Sequence, residues 1–227
     1  MNLRNTMLSG LIASTLALGG GIAAAQEGTP EASPAASPAA ALATPAEGDI
    51  VMNRFPMSTP DGKIAAYVEI WEGEDGVTVT VTSTTDSTLE PGLHGIHIHE
   101  IGACDASGVT PYESSGRHFN PTDASHGDVG DEDSHAGDLG NLEVADDGTI
   151  SYQVTTDKVT LDPAAENSLA GASGASIIIH AGEDDLKTDP SGESGDREAC
   201  GIIFRSVEPA MNTTPPEAGT PEATPAS

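Results

Sequence analysis

The chain has 227 residues, with 36 Asp and Glu against 8 Lys and Arg, and a formal net charge of −28. That balance argues against nucleic acid and against anionic membrane surfaces as partners, because both reward clustered Lys and Arg. The length fits one domain or two small ones.

Residues 1–25 read as an export signal rather than part of the fold. Arg4 supplies a positive start, Met7 to Ala25 is uncharged and mostly apolar, and Ala23-Ala24-Ala25 is the small-residue pattern that signal peptidase cleaves. A retained anchor is the competing reading, since the run is nearly long enough to span a bilayer. Its Gly, Ser and Thr content and its small-residue end favour cleavage, with no stable membrane insertion afterwards. No Cys lies near the cleavage site to carry a lipid. The expected location is therefore extracytoplasmic: secreted, periplasmic or in the cell envelope. Residues 26–48 are almost all Ala, Pro, Ser, Thr and Glu, and 208–227 return to that vocabulary, with Thr-Pro-Glu-Ala at Thr29 and again at Thr220. Such segments have too little apolar surface to offset the entropy of ordering, so a disordered linker and tail are expected. That leaves 49–207 as a single domain, long enough to bury a core.

Within the domain, helical periodicity is hard to find. Ile64 to Trp71 and Val77 to Ser83 are β-rich runs joined by Glu72-Gly73-Glu74-Asp75-Gly76, a hairpin signal. Val77, Val79 and Val81 alternate with Thr78, Thr80 and Thr82, the pattern of a half-buried strand. Further strands are predicted over Leu93 to His99, Gly140 to Val144, Thr149 to Thr155, Ser176 to His180 and Ile202 to Ser206. Asp146-Asp147-Gly148 supplies another tight turn. Short strands with Gly and Asp punctuation predict an all-β sandwich or barrel. Two connections break the rhythm, Glu100 to Leu139 and Ala181 to Ala199, and loops of that length in a compact domain are usually functional.

The seven histidines and both cysteines gather in or beside those two loops. His97 and His99 lie two apart in Gly95-Ile96-His97-Ile98-His99, so on a strand they share a face and can converge on one ion. The first loop carries His118, His126, His135 and Asp138, a closed set of three imidazoles and a carboxylate suited to Zn²⁺. His180 ends the apolar run Ile177-Ile178-Ile179 at the mouth of the second loop. Two sites built from His with one Asp and no thiolate favour Cu(II) and Zn(II). Two cysteines, Cys104 and Cys200, in an exported chain point to a disulfide.

Several separated segments together resemble the copper–zinc superoxide dismutases. They are Gly92-Leu93-His94-Gly95-Ile96-His97-Ile98-His99-Glu100, Gly116-Arg117-His118-Phe119-Asn120-Pro121, His135-Ala136-Gly137-Asp138-Leu139-Gly140-Asn141 and Arg197-Glu198-Ala199-Cys200-Gly201. The resemblance covers roughly Ile64 to Arg205. It implies an all-β Greek-key sandwich, or flattened barrel, with two long functional loops. It also implies one copper per subunit held by His97, His99, His118 and His180, and one zinc held by His118, His126, His135 and Asp138. His118 would bridge the two as an imidazolate. Asp184 matches the carboxylate that links a copper histidine to a zinc histidine, and such partners fix tautomer and orientation. Cys104 and Cys200 match the family's intrasubunit bridge. Arg197 matches its anion-guiding arginine, and His94 a structural position outside the site.

The activity implied is dismutation of the superoxide anion to O₂ and H₂O₂ by alternate reduction and oxidation of copper, with His118 relaying a proton. Family members pair in different ways, so the resemblance admits a homodimer without fixing its contacts. Two other readings are a noncatalytic copper-binding or copper-delivery module and a structural sandwich holding zinc alone. Retention of every copper ligand, the bridge and Arg197 argues against the first. The chain departs from the well-known eukaryotic forms between Asp184 and Arg197, a stretch that is shorter and holds a single lysine, Lys187, while Glu183, Asp184, Asp185, Glu193, Asp196 and Glu198 crowd the same region. Weaker steering of an anion is expected there. The segment between Cys104 and His118, with Tyr112, is enlarged, and its purpose is not legible from sequence.

Overall fold

The computed structural model describes residues 41–83 and 87–207. The export signal of residues 1–25, most of the linker and the tail of residues 208–227 lie outside the described residues. The last part of the linker, residues 41–48, lies within them, and Ala43 pairs its N–H and C=O with the Gln153 side chain at 2.9 and 3.0 Å. All described residues fall in one compact unit.

Eight strands carry the fold: β1 (Ile50–Ser58), β2 (Ile64–Gly73), β3 (Gly76–Thr82), β4 (Gly92–His99), β5 (Asp138–Val144), β6 (Ser151–Thr156), β7 (Ala175–His180) and β8 (Arg197–Phe204). They form one antiparallel sheet in the order β5-β4-β7-β8-β1-β2-β3-β6. Its two ends meet at the bridge Val144↔Ile150, in the turn that joins β5 to β6. The sheet thus curls towards a flattened barrel, and the β3–β4 and β6–β7 connections cross it as Greek keys.

The β2–β3 hairpin closes tighter than its sequence signal, with Gly73 paired to Gly76 and only Glu74 and Asp75 between them. Gly76 has φ +112°, and a Cβ there would stand 2.4 Å from the Thr156 carbonyl oxygen, so the turn requires glycine. Period-2 alternation sends Val68, Ile70, Val77, Val79, Val81, Ile96, Ile98, Leu142, Val144, Ile177 and Ile179 into one core. Each such side chain contributes about 1.5–3 kcal/mol on full burial.

Four features differ from the sequence expectation. β1 carries no regular alternation and contains Pro56, and its pairing with β2 shifts register between Met52 and Phe55. Thr78 and Thr80 are buried rather than solvated, because Thr155 and Gln153 of β6 cover that face with hydrogen bonds of 2.8 Å. β8 starts at Arg197 rather than Ile202, since Arg197 to Ala199 pair with the end of β7 despite their polar start. A third long connection, residues 157–174, joins β6 to β7.

Candidate metal centre

On β4 the two periodicities of the sequence separate. Ile96 and Ile98 enter the barrel core, while His97 and His99 point to the opposite face, beneath the loops of residues 100–137 and 181–196. The first loop is stitched to β4 by Phe119 N–H to the Ile98 carbonyl and Ile98 N–H to the Gly137 carbonyl, both 2.8 Å. A Cβ at Gly137 would meet the Ile98 oxygen at 2.3 Å, so glycine permits the approach that brings His118 and His135 over the strand. The second loop is tied by Gly95 N–H to the Gly182 carbonyl at 2.8 Å. Asn141 holds the Asp184 backbone at both ends, each at 2.8 Å.

Every predicted ligand is buried, and the structure brings them all together. The ligand atoms of His97, His99, His118 and His180 lie within 4.8 Å of one another. Among the described residues, His97 Nδ1 and the Nε2 atoms of His99, His118 and His180 have no hydrogen-bond partner. A buried polar atom left unpaired costs about 1–3 kcal/mol, so four of them turned towards one point fit a cation. The opposite nitrogen of three of these rings is engaged. His97 Nε2 meets Asp184 at 2.7 Å, His99 Nδ1 donates to the Gly116 carbonyl at 3.1 Å, and His180 Nδ1 donates to the Gly195 carbonyl at 3.2 Å. These contacts select the tautomer that leaves a lone pair facing the gap.

A second group forms around Asp138 Oδ1, which lies 2.8 Å from His118 Nδ1, 3.1 Å from His126 Nδ1 and 3.2 Å from His135 Nδ1. Gly127 N–H occupies Oδ2 at 3.0 Å and so turns Oδ1 to the imidazoles. Three ring nitrogens and one carboxylate oxygen are the donor set of a closed zinc site. By mutual proximity of ligand atoms, His97 rather than His135 groups with His118, His126 and Asp138 within 4.8 Å. The free nitrogen of His97 belongs to the first quartet, however, and its other nitrogen is taken by Asp184, which leaves His135 for the second. With His97 so assigned, the two groups share His118.

Asp184 links them from behind. Its two oxygens meet His97 Nε2 at 2.7 Å and His126 Nε2 at 2.8 Å, with all three side chains buried. Gly192 packs directly over this link, where a Cβ would stand 1.7 Å from Asp184 Oδ1. Burial drives His99 and His180 well below the ordinary histidine range, with the neighbouring imidazoles adding to it. Burial likewise holds His118 at about 4, against the opposing pull of Asp138. For His126 burial is outweighed by Asp138 and Asp184 on its two sides, and its pKa rises to about 10. Burial would raise both carboxyls, but their imidazole hydrogen bonds hold them well below the usual carboxylate range.

The predicted disulfide joins Cys104 to Cys200 with a Cα–Cα distance of 5.8 Å. Arg197 donates Nη1 to the Tyr112 carbonyl at 2.6 Å and to Ser115 Oγ at 2.9 Å, and Nη2 to the Gly116 carbonyl at 2.7 Å. His94 lies apart from the cage, its ring nitrogens 2.6 and 2.8 Å from the His180 and Glu90 carbonyl oxygens. Sequence reasoning assigned no task to Asn141, Ser115, Gly116, Gly127 or Tyr112. Three of these act here through backbone atoms, which no residue type announces.

The family model for copper/zinc superoxide dismutase matches residues 64–203. Superoxide dismutase [Cu-Zn] 1 of Aquifex aeolicus is 36% identical over 143 residues, covering 63% of this chain and 81% of that protein. Superoxide dismutase [Cu-Zn] of Onchocerca volvulus is 38% identical over 149 residues, covering 62% and 88%. Among solved structures, a superoxide dismutase-like protein from Bacillus subtilis, in a form with a tyrosine and a proline each exchanged for histidine, aligns with TM-score 0.60 and 35% identity, covering 68% of this chain and 98% of that one. Cu/Zn superoxide dismutase from Brucella abortus aligns with TM-score 0.54 and 29% identity, covering 66% and 98%. The eight-stranded barrel, the paired imidazole cages and these matches agree, and the chain belongs to the copper/zinc superoxide dismutase family.

Proposed function

We propose that this protein is a superoxide dismutase that converts superoxide to O₂ and H₂O₂ at a copper held by His97 Nδ1 and the Nε2 atoms of His99, His118 and His180. The zinc cage is then the Nδ1 atoms of His118, His126 and His135 with Asp138 Oδ1. The observation that carries this reading is the quartet of buried, unpartnered nitrogens facing one another. Bound copper supplies the one-electron redox chemistry, and zinc supplies a fixed, redox-inert charge behind His118.

The remaining work falls to the chain. Asp184 holds His97 and His126 in one orientation each, so the two cages cannot shift independently. His118 has one nitrogen on each cage, which places its Nε2 to hold and release a proton beside the reacting centre. Arg197 presents a fixed positive charge, tied by three hydrogen bonds to the turn that also supports His99, and so retains an anion there. A copper carrier without activity has no need of this arginine.

Residues 1–25 we read as a cleaved export signal that delivers the domain outside the cytoplasm, with the compositionally biased segments of residues 26–48 and 208–227 flanking it. Among the described residues no helix is long and apolar enough to cross a membrane. A homodimer is the assembly to test by sedimentation.

The deciding experiment measures dismutation by the metal-loaded protein, by the same protein after copper chelation, and by His180→Ala. Chelation and His180→Ala are each expected to lower activity by at least the roughly 10–100-fold that losing an outer partner costs a metal site. His180→Ala should retain zinc. Equal activity in all three samples would overturn the assignment.

A further inference from the structure

The enlarged segment after Cys104 contains one residue that the metal chemistry leaves unexplained. Tyr112 is 2% exposed and has φ +62°, a left-handed conformation rare for a bulky side chain. Such a residue reverses the chain locally, so its ring and its carbonyl serve opposite neighbours. The ring packs against Ile178 and Cys200, and its hydroxyl donates to the Ser58 carbonyl at 2.6 Å. Ser58 in turn pairs with Cys200 on β8, three residues beyond Arg197. On its other side, the Tyr112 carbonyl accepts from Arg197 Nη1 at 2.6 Å, from Ser115 N–H at 3.0 Å and from Ser115 Oγ at 2.8 Å.

The contacts close a ring: Arg197, along β8 to Cys200, across to Ser58, through the phenol to Tyr112, and back through its carbonyl to the guanidinium. Both acceptors of Nη1 lie in the turn that Tyr112 begins, and Gly116, which ends it, accepts from Nη2 and from His99 Nδ1 together. Packing alone would require neither the hydroxyl contact to β1 nor a left-handed backbone aimed at the arginine. We propose that Tyr112 is a positioning residue for Arg197, and that its phenol anchor sets where the guanidinium stands and hence how tightly a small anion is held beside the copper cage. This rests on the reading of Arg197 as the anion-holding group.

The test uses the full metal-loaded protein and azide, a small monovalent anion, titrated by its effect on the copper absorption band. The variants are Tyr112→Phe, Arg197→Ala and the double substitution, with copper and zinc content and thermal midpoint recorded for each. Tyr112→Phe should weaken azide binding about 3–10-fold, the effect of one hydrogen bond, with metal content and the azide-free spectrum unchanged. In the Arg197→Ala background, Tyr112→Phe should have no further effect on azide. A lowered thermal midpoint with unchanged azide affinity would reduce Tyr112 to a packing residue and overturn the proposal. Equal weakening in both backgrounds would overturn it too, because the effect would not pass through Arg197. If Arg197→Ala alone leaves azide affinity unchanged, the role of the arginine fails and this proposal with it, whereas weakening by Arg197→Ala without weakening by Tyr112→Phe removes only the proposal. Should Tyr112→Phe not yield folded protein, Tyr112→Leu, which keeps an apolar side chain there and likewise lacks the hydroxyl that reaches Ser58, is held to the same outcomes.

Discussion

At the scale of single residues, the centre is governed by which nitrogen of each imidazole is left free. His126 shows the cost most directly, because without metal it sits between Asp138 and Asp184 and takes up a proton. Its folded pKa of about 10 lies above the ordinary 6.5, so in the metal-free protein it contributes stability that is complete below pH 6.5 and lost as pH rises through 10. His118 has the opposite sign. Its folded pKa of about 4 lies below 6.5, so the unfolded chain takes up a proton first and stability falls as pH drops from 6.5 towards 4. His99 and His180 are shifted in the same direction as His118 and add to the acid limb. Thermal midpoints of the metal-free protein across this range should therefore peak near pH 6.5. Zinc should flatten the alkaline limb, since it displaces the His126 proton, and its uptake at about pH 8 should release about one proton. A midpoint that climbs steadily from neutral to alkaline pH without metal would contradict this account of His126.

At the scale of elements, β4 and the two loops divide the labour. The strand sets two imidazoles on one face, and the loop of residues 100–137 brings His118, His126 and His135 over it. Asp138 and His180 stand at the ends of β5 and β7, and the loop of residues 181–196 supplies Asp184. The disulfide closes a separation of 96 residues between the first loop and β8. In the chain-entropy model a closure of this size is worth on the order of 4–5 kcal/mol. Cys104→Ser with Cys200→Ser should accordingly lower the denaturation free energy by that order, read from urea midpoints at constant slope. A loss under about 1 kcal/mol would mean that the loop is held without it. The elements differed in how far sequence disclosed them. β3 and β4 were legible because Val77, Val79 and Val81, or Ile96 and Ile98, alternate cleanly. β1 was not, because Pro56 and a register shift interrupt it and its pairing with β2 carries the strand. The start of β8 was hidden because Arg197 and Glu198 are polar, and only the ladder to β7 makes them strand.

At the scale of the whole molecule, charge opposes the substrate. With a net charge of −28, an anion approaches against the mean field. The loop that leads into Arg197 carries the exposed Glu183, Asp185, Glu193 and Asp196 and a single lysine, Lys187. Turnover should therefore fall below the diffusional ceiling of about 10⁹ M⁻¹s⁻¹ and depend only weakly on ionic strength. Stopped-flow rates between low and physiological salt test this, and a near-ceiling rate that drops steeply with salt would show that Arg197 and its neighbours still steer.

The candidate ligand types, the shared face of His97 and His99, the two long loops and the cysteine pair were legible from residue identity and short spacing alone. Only the folded contacts settle which nitrogen of each imidazole is engaged and which is left without a partner. They also settle how Asp184 spans 87 residues to His97 and 58 to His126, and why Tyr112 lies in the enlarged loop. Those outcomes rest on contacts of side chains with other side chains and with backbone carbonyls far apart in the chain. Such contacts exist only once the barrel has closed and the loops have packed against it.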